Sequence, residues 1–170
     1  MTIELTALAS SFIKHANTLR SAPFVCSAET ALEGWFRAEM VPALEDMGIA
    51  AGSVDCRFDY PGTREQGDLA VTIDDGVTAF EFMHFVPFKD SRKILRFPKQ
   101  LDRLQKVVDD GLAQQGIALA TFSLYSKQRT DSLVDRFFGH RLPRWQTVGP
   151  EPVIAGYPLV LVLAGVTTER

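Results

Sequence analysis

Gly67-Asp68-Leu69-Ala70-Val71-Thr72-Ile73-Asp74-Asp75-Gly76-Val77-Thr78-Ala79-Phe80-Glu81-Phe82-Met83-His84-Phe85 is the stretch that decides how this chain is read. Two apolar runs flank Asp74-Asp75-Gly76, and Asp75-Gly76 between such runs is a strong hairpin signal. The second run is apolar on both faces, which marks a central strand. An acid inside it, Glu81, must have its charge answered by something. Asp68 opens the first run, so the hairpin sets two carboxylates side by side on neighbouring strands. Rigidly held oxygen ligands of that kind suit a hard cation such as Mg²⁺ or Mn²⁺, and with it metal-assisted phosphodiester chemistry.

Working outward, residues 3–20 place Leu5, Leu8, Phe12, Ile13, Ala16 and Leu19 at helical spacing. That stripe must be buried, either on the chain's own sheet or as a dimer face. A second helix is predicted from Ser27, a good N-cap, to Gly48, with Leu32, Trp35, Phe36, Met40, Leu44 and Met47 inward. Residues 54–60 alternate as a first strand. Pro98 reads as the first residue of a helix that runs to about Gln115 and is stopped by Gly116. Residues 117–125 read as a core strand, 131–138 as a short helix and 157–166 as a last buried strand. The class is α/β, a mixed sheet flanked by helices. One domain is expected over all 170 residues, with its core at about 27–125 and a C-terminal extension over 126–170.

Composition narrows the setting. Cys26 and Cys56 form no CxxC pair and read as reduced thiols; no run reaches the roughly 20 apolar residues of a membrane span. The positive charges of the first twenty residues follow the apolar ones, an order unlike a signal peptide, so a cytoplasmic, soluble protein with no membrane association is expected. The net charge of −3 hides an asymmetry: residues 1–88 carry −8 and residues 89–144 carry +6. Lys89, Arg92, Lys93, Arg96, Lys99, Arg103 and Lys106 crowd the start of the basic half, with Gln100 among them. They suit a polyanion, DNA or RNA, reaching the acidic pair; the plainer reading is a solvated helix face. The mixture of Phe137, Phe138 and Trp145 with Arg141 and Arg144 would suit stacked single-stranded bases, or simply pack on the core. No HExxH or CxxC spacing supports zinc, and His84 alternates away from Glu81 as a core histidine would.

The order helix, three strands, helix, strand, with Gly67-Asp68 and Glu81-Phe82-Met83, resembles the PD-(D/E)XK nuclease superfamily and its αβββαβ core. Twelve residues separate the two acids. The resemblance implies a restriction-endonuclease-like fold in which Asp68 and Glu81 hold one or two Mg²⁺ or Mn²⁺ ions that activate water at a phosphodiester. It also implies a third acid on the preceding helix, where Glu29 and Glu33 lie on or beside the inward stripe. Glu39, also within the stripe but further along, is expected to pair with a basic group. The chain departs from the pattern at Met83, where the family carries a Lys that orients the attacking water. Either that cation has migrated, with Lys99 beside Gln100 and Arg103 as the candidate, or catalysis is lost and the fold serves binding.

Two function classes therefore stand. A nuclease requires both carboxylates within a few ångströms and open to solvent. That reading fails if Glu81 is sealed in the core against a cation such as Arg57; a non-catalytic interaction module, a homodimer or a subunit of a larger defence or repair assembly, predicts instead a broad apolar or basic surface and association without turnover.

Overall fold

The computed structural model describes residues 2–18, 32–56, 58–60, 66–87, 91–154 and 157–168. Among the described residues, helices α1 (Leu5–Thr18), α2 (Leu32–Asp46), α3 (Ser91–Asp109) and α4 (Lys127–Phe138) flank the strands. The strands are β1 (Val54–Asp55), β2 (Phe58–Asp59), β3 (Gln66–Gly67), β4 (Leu69–Ile73), β5 (Gly76–Phe85), β6 (Gln115–Ser123), β7 (Trp145–Pro152) and β8 (Leu159–Thr167). Six of them form one mixed sheet in the order β1-β4-β5-β6-β8-β7, and β2 pairs with β3 separately. Strands β5 and β6 run parallel, and α3 is the crossover that such a pair requires.

The hairpin forms as the sequence predicts, with its turn one residue earlier. Ile73 pairs with Gly76, and Asp74 and Asp75 are the two loop residues, both at positive φ (48° and 63°) as a primed hairpin turn needs. Strand β5 is buried from Thr78 to Phe85. Its side chains alternate between two cores. Phe80 and Phe82 join α1 and α2 through Phe12, Phe36 and Met40, whereas Ala79, Met83 and Phe85 meet α3 and α4 through Phe97, Leu101, Phe137 and Phe138. The apolar stripe of α1, Leu5, Leu8, Ala9, Phe12 and Ala16, is spent on the first of these cores rather than on a second copy.

Four expectations change. Helix α3 starts at Ser91, with Pro98 inside it, because burial of Phe97 and Leu101 outweighs the hydrogen bond that proline forfeits. It ends at Asp109, where Gly111 at φ +71° turns the chain; Gly116 lies in β6, its missing Cβ making room for Val166 and Leu104. The first predicted strand is broken, with β1 joining the main sheet and β2 turning away to pair with β3. Finally β7, Trp-Gln-Thr-Val-Gly-Pro-Glu-Pro, carries no apolar run, yet it forms the sheet edge beside β8. Strand β8 lies between β6 and β7, so the C-terminal residues belong to the sheet itself. The start of the second predicted helix, from Ser27 to residue 31, lies outside the described residues. Among the described residues no helix is long and apolar enough to cross a membrane.

Phe85 is the keystone of the second core, its ring 5.0–5.5 Å from those of Phe97, Phe122 and Phe137. Phe85→Ala should cost about 3–5 kcal/mol and lower the melting temperature by roughly 10 °C. Leu95→Ala, at a position 67% exposed, should leave it within about 2 °C. Thermal denaturation followed by circular dichroism separates the two.

Candidate functional site

The site begins with two backbone decisions. Asp68 sits between β3 and β4, and its N–H donates to Phe80 O at 3.2 Å while its Oδ2 accepts from Phe82 N at 2.8 Å. The carboxylate is thereby fixed over β5, next to Glu81. Across from it, Gly67 has no side chain where Tyr60 needs space: a Cβ there would lie 3.1 Å from the phenol oxygen. The phenol passes through that gap to the acid.

Glu81 is 1% exposed and takes three donors: Tyr60 Oη at 2.7 Å, Gln100 Nε2 at 2.9 Å and Arg103 Nη2 at 3.0 Å. The Arg103 guanidinium also lies over the Tyr60 ring, 5.0 Å from its centroid, a cation–π contact that fixes its approach. Asp68 in turn accepts from Arg37 Nη2 of α2 at 2.6 Å. The result is a chain Arg37–Asp68–Glu81–Arg103 that passes through the sheet from one helix layer to the other. Asp68 lies near enough to Glu81 for its charge to oppose ionisation of the Glu81 carboxyl.

Burial raises the Glu81 carboxyl to about 7; Tyr60 and Arg103 pull against that rise, and Asp68 adds to it. Burial and the neighbouring Glu81 keep the Tyr60 phenol protonated. His84 lies on the other face, against Phe36, with Nδ1 on Thr121 Oγ1 at 2.9 Å. Burial and then Lys93 depress it to about 3, so it is a neutral core histidine.

The residues singled out in the sequence separate into groups. Asp68 and Glu81 are brought together. Met83 is 2% exposed and packed in the α3-side core. Lys99 is exposed on the outer side of α3, and the α3 groups that reach Glu81 are Gln100 and Arg103. Glu29, Lys89, Arg57 and the Glu33 side chain lie outside the described residues. Glu39 pairs with a basic group as expected, His15, at 2.9 Å. Of the basic strip, Arg92, Arg96 and Lys99 are exposed, Lys93 is half-buried with Nζ on His84 O at 2.9 Å, and Lys106 pairs with Asp110 at 2.6 Å. Phe137, Phe138 and Trp145 are buried (0–1% exposed), so that stretch offers no rings for base stacking.

Sequence reasoning missed Arg37 and Tyr60. Arg37 sits at the flank of the α2 stripe, and Tyr60 reads as one more apolar strand residue; only the Gly67 opposite it hints at a close approach. Among the described residues no group of three His, Cys, Asp or Glu side chains is placed to hold a metal ion. Compared with known proteins, the chain matches no family model, no curated sequence and no solved structure.

The raised Glu81 value has a defined sign. Between its ordinary value of 4.5 and about 7 the folded protein holds a proton that the unfolded chain releases. Its stabilising contribution is complete below 4.5 and is lost as pH rises toward 7. Glu81→Gln abolishes this titration. The melting temperature of the variant minus that of the parent should therefore rise by roughly 5–10 °C between pH 5 and pH 8. A difference independent of pH would mean that Glu81 is ionised throughout.

Proposed function

We propose that this chain is a divergent nuclease-like domain of the PD-(D/E)XK type that grips the backbone of DNA or RNA along α3 and does not cleave it. The element order supports the fold assignment. Helix α2 precedes the antiparallel β1, β4 and β5, and α3 then leads to β6, parallel to β5. Asp68 stands at the entrance of the second of those strands and Glu81 within the third.

The observation that carries the loss of cleavage is Glu81, sealed in the core with Arg103, Tyr60 and Gln100 already on its oxygens. Met83, where the resemblance implies a lysine, neither donates a proton nor carries charge for an attacking water. Binding is supported by the geometry of α3. At 100° per residue, Arg92, Arg96, Lys99 and Arg103 fall within a sector of roughly 60°. A row of exposed cations thus leads along the helix to the acidic pair, as a phosphate backbone requires.

The donor chemistry of the pair still fits a hard cation. Asp68 and Glu81 are oxygen ligands of the kind Mg²⁺ or Mn²⁺ takes. Such an ion, when bound, would polarise water and neutralise charge on a phosphate. The proximity of the two acids, through which Asp68 opposes ionisation of Glu81, favours a second reading, metal-dependent hydrolysis.

The two readings part in one experiment. Fluorescence anisotropy should show labelled DNA or RNA binding that weakens at least about tenfold in Arg92→Ala/Arg96→Ala/Lys99→Ala, with a shallower salt dependence by about 2–3 units of slope. Digestion in Mg²⁺ or Mn²⁺ should leave the same oligonucleotides intact. Cleavage that vanishes in Asp68→Asn and Glu81→Gln would establish hydrolysis instead, and absence of binding would favour a protein-interaction module.

A further inference from the structure

Arg92, Arg96 and Lys99 are exposed on α3 and, among the described residues, have no carboxylate partner. Arg103 ends their row, held by Glu81 and the Tyr60 ring. Beside the row stands Leu95, 67% exposed, at a level of the helix between Arg92 and Lys99. Going around the helix at 100° per residue, Leu95 lies about 40° beyond Lys99, and Asp102 about 20° beyond that. A path across the outer face of α3 thus passes from cations to an aliphatic side chain to a carboxylate.

The flank beyond Asp102 is closed. The 3₁₀ turn Gly139–Arg141 follows α4, and Arg141 Nη2 donates to Pro98 O at 3.3 Å and to Asp102 Oδ1 at 2.7 Å. On the opposite flank Gln100 and Arg103 face Glu81 of β5. An α-helix with its side chains is about 10–12 Å across and by itself fills the major groove of B-DNA, about 12 Å wide. With the Arg141 turn along one side, α3 is too broad there to enter a groove. A duplex would therefore offer it only phosphates from outside, and Leu95 would lie against charge. A single strand carries its phosphates along one edge and can turn unpaired bases out from the other. That order matches the one across α3.

We propose that α3 selects single-stranded over duplex nucleic acid, with Arg92, Arg96 and Lys99 on the phosphates and Leu95 against the face of a base. The inference rests on the nucleic-acid-binding reading given above and adds to it the form of the ligand. An aliphatic platform covers apolar base surface without choosing among bases, so sequence preference is weak. Leu95 belongs to neither core, and its removal therefore reports on binding and not on folding.

The test is fluorescence anisotropy with three labelled probes: a single strand, the same strand in a duplex, and a strand of abasic sites. The parent should bind the single strand at least about tenfold more tightly than the duplex. Leu95→Ala should lose about fivefold on the single strand and keep its duplex affinity within about twofold. On the abasic strand the parent should fall to the level of the variant, because the base that Leu95 covers is gone. Equal or tighter binding of the duplex would overturn the selection and leave nucleic-acid binding in place. Single-strand affinity unchanged in Leu95→Ala would overturn Leu95 as the contact. Binding to none of the three probes would overturn the nucleic-acid reading itself, and this inference with it.

Discussion

The charge of Glu81 in the middle of β5 is the constraint around which the rest of the structure is arranged. A carboxylate 1% exposed in a strand apolar on both faces is strongly penalised unless donors surround it. Three donors come from two places: Tyr60 after β2, and Gln100 and Arg103 on α3. The adjoining Asp68 adds a second charge, and Arg37 on α2 answers it. Each partner fixes the element that bears it. The register of α3 follows from having both Gln100 and Arg103 at the acid, and the break between β1 and β2 follows from swinging Tyr60 over Gly67.

Ion pairs of this kind are weak contributors to net stability, because desolvation offsets most of the Coulomb attraction. Their consequence is specificity of arrangement. The chain Arg37–Asp68–Glu81–Arg103 connects α2 on one side of the sheet to α3 on the other, and the two aromatic cores supply the stabilising burial around it. The division of charge along the chain acquires a spatial meaning in the same place. The acidic first half supplies Asp68 and Glu81, the basic second half supplies the α3 row, and Arg103 is where they meet.

The sequence by itself determined the class of fold, because hydrophobic periodicity and turn chemistry are local signals. Alternation and the Asp74-Asp75-Gly76 turn specify β4 and β5, the two-faced apolar run makes β5 central, and the stripe of α1 declares its buried side. It also brought Asp68 and Glu81 together, since a two-residue turn leaves little freedom in the pairing of the strands it joins. Tertiary structure decided what no local pattern encodes. Pro98 stays within α3 because Phe97 and Leu101 are buried on the sheet, and β7, without an apolar run, exists because β8 offers it an edge. Arg103, not Lys99, reaches Glu81 because side chains four positions apart on a helix share a side only roughly, and the one nearer the acid wins. Arg37 and Tyr60 entered the site through contacts between residues distant in sequence. That is the physical reason the acids could be read from the chain and the groups that answer their charge could not.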